Sequence, residues 1–309
     1  MKAKVRNNQS DCLVIDDKSL EKSEQTMRNT WADFREAIAR KDFEFDDTHS
    51  ALKVVFLKQF NDWFQGIAKQ KMSKSFSDYF KNKLAGRGTV IQPDESPDTP
   101  NYNRFMPKAE FIKDDNRFSP AGVEWLYLAI GNSETTIKEC AEKECRAKAG
   151  DRFGFCGFKL ADNARDLRLV DLTIANNMSY DRINNGLRKV YEDSHKKAMK
   201  LAGKYGNSIY GHYKYKEMLN DEEIKPNIAK WMLFMYAKML SENIFVPIES
   251  DDKKLEYAPF QTLAMYFIRE GFDGIVYSST VYPTAKNVVL FDKKYAIPYG
   301  KVADYIISD

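Results

Sequence analysis

Arg117-Phe-Ser-Pro-Ala-Gly-Val-Glu-Trp-Leu-Tyr-Leu-Ala-Ile130 is the stretch on which the fold turns. Its first half carries Ser119, Pro120 and Gly122, turn formers that interrupt regular structure. Its second half, Val123 to Ile130, reads as a strand, and Ser133 then offers an N-cap for a helix running to Lys148. Further along, Phe153–Leu160 and Leu167–Thr173 are strand candidates. Helices dominate from about residue 186 to 243, with Leu187, Val190, Tyr191, Ala198 and Leu201 on one amphipathic stretch and Ile228–Leu240 forming another. A last helix, Phe260–Glu270, feeds Gly271-Phe-Asp-Gly-Ile-Val-Tyr277 and the strand Asn287–Asp292. Strands are separated by helices in some places and adjacent in others, which predicts an α+β fold rather than a doubly wound sheet.

Upstream of the quoted stretch the pattern is helical. Met27, Trp31, Phe34 and Ile38 recur at helical spacing, then Phe56, Phe60, Trp63, Phe64 and Ile67, then Met72, Phe76, Tyr79, Phe80 and Leu84. Aromatic stripes of this kind belong to a core, so residues 1–85 are expected to form a small all-helical domain. Turn formers and three prolines between Ala85 and Pro100 place the boundary there. Residues 86–309 then make a second domain, with a helical, basic insertion at about 178–222.

Composition narrows the function classes. Of the 309 residues, 43% are hydrophobic and 30% charged, which supports a packed core and excludes disorder as a description of the chain. Lys and Arg number 48 against 45 Asp and Glu, a net charge of +3 that argues for no bulk polyanion as partner. Cys140, Cys145 and Cys156 fit no zinc spacing and the 3 histidines do not pair at i, i+4, so no metal is expected. No glycine-rich nucleotide loop is present. The apolar runs Trp125–Ile130 and Trp231–Ala237 are too short to cross a bilayer, and the N-terminus lacks the apolar core of a signal peptide. The expectation is a soluble, reduced, cytoplasmic protein with no membrane partner. Arg182–Lys216 carries nine basic residues against Glu192 and Asp193, with Tyr205, Tyr210, Tyr213 and Tyr215 interleaved. Such texture can bind nucleic acid, but a solvated helix face is the reading preferred here.

Several ordered pieces carry a family resemblance. Arg117 through Glu139 contains Arg-Phe-Ser-x-x-Gly-Val-x-x-Leu-Tyr-Leu-Ala followed by Thr-x-x-x-Glu. Leu169-Val-Asp-Leu-Thr173, Tyr257-x-x-x-Gln261, Gly271–Ser279 and Asn287–Phe291 follow in order. Together they resemble the RES domain, named for its Arg, Glu and Ser, over residues from about 86 to 292, and the helical segment ahead of it resembles a HEPN-like domain.

The resemblance implies an α+β fold similar to ADP-ribosyltransferases. It also implies an enzyme that cleaves NAD+ at the nicotinamide–ribose bond, by hydrolysis or phosphorolysis, and so acts as a toxin or defence effector. NAD+ is then the substrate, with no separate cofactor. The expected partners are a protein antitoxin or regulator and a second copy of the chain. In this register Arg117 grips the pyrophosphate, Tyr127 packs on nicotinamide or ribose, Glu139 holds ribose hydroxyls and offsets the developing cation, and Ser279 bonds near the nicotinamide. Ser278 is its register alternative, and Asn287 joins the NAD+-binding set. The family's upstream arginine maps to Arg87, with Arg104 as the other candidate. Alternative functions are ADP-ribose transfer to a macromolecule, or nucleic-acid binding on an inactive scaffold of this type.

Overall fold

The computed structural model describes residues 17–95, 101–205, 224–245 and 253–308. The quoted stretch folds as expected locally. Strand β3 (Leu126–Gly131) follows the turn, and helix α7 (Glu134–Glu144) follows the strand. Ser133 caps α7, its hydroxyl accepting the Thr136 amide at 3.2 Å. Along β3 the side chains alternate, so Leu126, Leu128 and Ile130 enter one apolar cluster while Ala129 enters another.

Upstream lie α1 (Asp17–Ala39), α2 (Thr48–Ala51), α3 (Val55–Phe64), α4 (Ile67–Met72), β1 (Ser73–Ser75), α5 (Phe76–Phe80), β2 (Leu84–Val90) and α6 (Tyr102–Phe105). Downstream follow β4 (Arg152–Leu160), β5 (Arg168–Asp171), α8 (Tyr180–Tyr205), α9 (Ile224–Phe245), α10 (Lys253–Arg269), β6 (Gly274–Ser278), β7 (Lys286–Leu290) and β8 (Ala296–Ile306). The strands make one mixed sheet in the order β1-β5-β6-β7-β3-β2-β4-β8. Its neighbours are antiparallel except β5 and β6, which pair in parallel from Leu169↔Gly274 to Asp171↔Val276. The chain is an α+β fold.

Besides the short β1, two strands escape the sequence pattern. β2 falls in the stretch expected to be a linker, because Gly86 and Gly88 read there as turn formers. Their role is steric: a Cβ at Gly86 would sit 2.2 Å from the Phe155 ring, and one at Gly88 2.2 Å from the Phe153 ring. Both rings belong to the neighbouring β4 and are buried over β2. β8 carries Pro298 and Gly300, which mask an edge strand paired to β4.

The N-terminal helices do not close a core of their own. Trp31, Phe34, Phe56, Phe60 and Phe64 share one apolar cluster with Tyr236 of α9, Phe260 and Phe267 of α10, and Ile275 and Val289 of the sheet. Polar ties follow the same seam: Trp31 donates to Asn243 at 3.0 Å, Tyr266 to Asn61 at 2.9 Å, and Lys69 pairs with Glu270 at 2.8 Å. The third aromatic stripe, from Met72 to Leu84, is broken by β1 and ends in β2 rather than forming one helix. A division at 85/86 therefore runs through β2, and a separate all-helical unit is not what the packing shows. The apolar faces of α1 and α3 are buried only because α9 and α10 cover them.

Phe60→Ala tests this shared core. Phe60 stacks on Phe64 at 5.2 Å and meets Tyr236 edge-on at 5.5 Å. Its truncation is expected to cost about 3–5 kcal/mol. Far-ultraviolet circular dichroism and tryptophan fluorescence should report one coincident denaturant transition. Two separated transitions would contradict a single core.

Candidate functional site

The sheet face that carries Ala129 and Tyr277 is covered by two bodies, α7 on one side and the α1, α3, α9 and α10 layer on the other. Between them lies a cavity of about 370 Å³. A split in the sheet opens it. β2 pairs with β3 only from Leu84↔Gly131 to Gly86↔Ala129. Beyond that point β2 stays with β4 as far as Val90, while β3 stays with β7 back to Leu126. Arg87 is the first β2 residue past the last β2–β3 pair.

Arg87 lines the cavity, and its Nη1 is buried without a hydrogen-bond partner. Burial pulls its pKa down, and nearby Arg104 pulls the same way. A guanidinium nonetheless stays charged, so an uncompensated cation faces the cavity. Arg117 enters from the loop before β3. Its guanidinium lies 5.4 Å from the Tyr257 ring and 5.7 Å from Phe260, and its Nη1 is likewise buried and unpartnered. Arg104 does not line the cavity. It makes a two-pronged pair with Glu95, at 2.9 and 3.1 Å.

Tyr127 and Tyr277 also face the cavity. The Tyr127 hydroxyl is 2.9 Å from that of Ser119, and burial pushes its pKa up, so the phenol is neutral. Asn287 of β7 sits directly across from Tyr277 and Ala129, which puts all three on one face. Its Nδ2 donates to Glu144 Oε1. The same carboxylate oxygen accepts from Ser279 Oγ at 2.7 Å. Ser279 is fully buried, accepts the Tyr282 amide at 3.0 Å, and acts on the cavity only through Glu144. Ser278 is turned elsewhere: its hydroxyl accepts from Asn176, whose Oδ1 accepts from Ser241 at 2.9 Å.

Glu139, like Ser278 and Ser279, is an expected residue that the structure leaves outside the cavity lining. Its Oε2 accepts the Tyr282 hydroxyl. The carboxylate that does reach the cavity is Glu144, five residues later at the end of α7. At about 100° per residue those two positions lie about 140° apart around the helix, so only one can look inward. Asn287 and Ser279, both quoted in the motif pattern, are what mark Glu144, but their contact is visible only in three dimensions. Lys143, Arg146 and Asp115 complete the charged lining.

A family model described as the RES domain matches residues 240–304. The match supports the RES family for this chain. It spans the end of α9 through most of β8 and so contains Tyr257, Tyr277, Ser279 and Asn287, while Arg87, Arg117, Tyr127 and Glu144 come from outside it. No curated protein and no solved structure matches the chain. Among the described residues no group of three or more His, Cys, Asp or Glu could hold a metal ion, and no helix is long and apolar enough to cross a membrane. Of the basic, tyrosine-rich segment, α8 as far as Tyr205 is described, whereas Tyr210, Tyr213 and Tyr215 lie outside the described residues.

Two outcomes follow from this geometry. Arg87→Met removes an unpaired buried charge and should stabilise the ligand-free protein by on the order of 1 kcal/mol. Added pyrophosphate should raise the melting temperature of the wild type and not of the variant; denaturation and thermal melts measure both. Cys145 lines the cavity, its thiol donating to the Gly88 carbonyl at 3.4 Å, and burial pushes its pKa up to about 11. At pH 8 its alkylation, followed by mass spectrometry, should run roughly a hundredfold slower than that of an unperturbed thiol.

Proposed function

We propose that this protein cleaves NAD+ at the nicotinamide–ribose bond. The observation that carries the reading is the pairing, in one cavity, of two arginines whose Nη1 atoms are buried without hydrogen-bond partners and a carboxylate held by two neutral donors. Two unpaired arginines ask for an anion with two charges, and a pyrophosphate supplies them. The match of the RES domain model to residues 240–304 points the same way.

In this reading Arg87 and Arg117 hold the pyrophosphate. Tyr127 and Tyr277, both neutral, flank the nicotinamide end. Ser279 and Asn287 fix Glu144 Oε1, leaving Oε2 for the ribose hydroxyls. Nicotinamide departs as a neutral molecule when the glycosidic bond breaks, so it needs no protonation. The demand is instead to stabilise positive charge on the ribose, and a pre-positioned carboxylate meets it without reorganising. Ser279, Asn287 and Glu144 form one hydrogen-bonded unit, so losing any member loosens the carboxylate. Depletion of NAD+ would make the protein a toxin or defence effector, held silent by a protein partner. The N-terminal helices, HEPN-like in the sequence resemblance, serve by backing α10, which carries Tyr257.

Nicotinamide release from NAD+, followed with and without phosphate, tests the proposal. Glu144→Gln is expected to lower kcat about 10²–10³-fold, whereas Glu139→Gln should stay within about tenfold of wild type, because a glutamine still accepts from Tyr282. ADP-ribose as product identifies water as acceptor, its 1-phosphate identifies phosphate, and label on protein or nucleic acid identifies transfer. No release under any condition, or equal loss in both variants, overturns the assignment.

A further inference from the structure

Asp115 lies two residues before Arg117 in the loop that enters β3, and it lines the same cavity. One carboxylate oxygen accepts the Ala121 amide at 2.7 Å, which holds the side chain in the turn. The other oxygen is buried and has no partner. Arg117 Nη1 is unpartnered too, so the two opposite charges do not quench each other although they share a loop. A buried acceptor left open is costly and is satisfied by a donor that the ligand brings. The cavity thus asks for two things at once: an anion at Arg87 and Arg117, and a neutral hydrogen-bond donor at Asp115.

We propose that Asp115 sets the dinucleotide preference of this site, its open oxygen accepting the 2′-hydroxyl of the adenosine ribose and repelling a 2′-phosphate there. The inference rests on the NAD+ reading above. Each ribose is joined to the pyrophosphate through its 5′-oxygen, so its 2′,3′-hydroxyls lie one sugar ring away, which matches an acid that lines the same cavity as the arginine that grips the pyrophosphate. Glu144, on α7, already supplies the carboxylate for the nicotinamide ribose. Asp115 comes from a different element and falls to the ribose on the other side of the pyrophosphate. A carboxylate on a ribose hydroxyl discriminates because the phosphorylated ribose offers negative charge where the unmodified one offers a donor.

Asp115→Asn isolates the effect. Its Oδ1 can still accept from Ala121, so the turn survives, while the open acceptor becomes an N–H donor. The measurement is kcat/KM for NAD+ and for NADP+, together with calorimetric binding of ADP-ribose and 2′-phospho-ADP-ribose. Wild type should prefer the unphosphorylated form at least about tenfold, and Asp115→Asn should shrink that ratio at least about tenfold, chiefly through KM. If a thermal melt shows Asp115→Asn unfolded, Asp115→Ser carries the same expectation, since it also removes the charge. Equal use of both dinucleotides by wild type, or an unchanged ratio in a folded variant, overturns the inference while the NAD+ reading stands. Failure of wild type to bind or cleave either dinucleotide overturns both.

Discussion

The parallel pairing of β5 with β6 is the constraint from which the rest of the structure follows. Two parallel neighbours cannot be joined by a tight turn, and the chain must cross over the sheet between them. Here the crossover contains α8, α9 and α10. Those helices land on one face of the sheet and present a second apolar surface outward, rich in Tyr236, Phe260 and Phe267. The aromatic faces of α1 and α3 cover that surface. The N-terminal helices are thereby the outer wall of a layer whose inner wall is the sheet, and the cavity is the gap this layer leaves beside α7.

The gap is polar because the sheet splits where it opens. Had β2 continued beside β3 past Gly86, the Arg87 position would lie within a closed ladder. Instead its Nη1 is buried without a hydrogen-bond partner, and Arg117, propped on Tyr257 and Phe260, adds a second such nitrogen. A folded protein tolerates unpaired buried charge when other packing supports it, and it does so where a ligand is to supply the missing partner. The carboxylate side is arranged differently. Glu144 Oε1 is oriented by two neutral donors rather than by a cation.

Much of this was legible along the chain, for identifiable reasons. β3 and the Ser133-capped α7 follow from turn residues, alternation and a capping hydroxyl, all local signals. Arg117, Tyr127 and Asn287 were grouped by the resemblance of their motifs, and Arg117 lies in the loop ahead of β3, where strand period does not reach. Alternation implied that Ser278 and Ser279 point apart, but the preference for Ser279 came from the register of the resembling motif. Glu139 and Glu144 were not distinguishable along the chain. Both sit on one polar helix, and which of them faces the sheet depends on how α7 is rolled against β2 and β3. The choice between Arg87 and Arg104 was equally hidden, because Glu95, which occupies Arg104, lies nine residues upstream in irregular chain.

By itself, then, the sequence determined the α+β class and most of the elements, because these depend on short-range periodicity and on turn chemistry. The candidate polar residues near β3, β6 and β7 came from the resemblance of ordered motifs. Only the tertiary structure decided that the N-terminal helices share the core of the whole chain, that Gly86 and Gly88 belong to a strand under the Phe155 and Phe153 rings, and that Glu144 rather than Glu139 is the inward carboxylate. Those facts turn on contacts between residues far apart in the chain. An apolar stripe states that a surface will be buried, but it does not state against what.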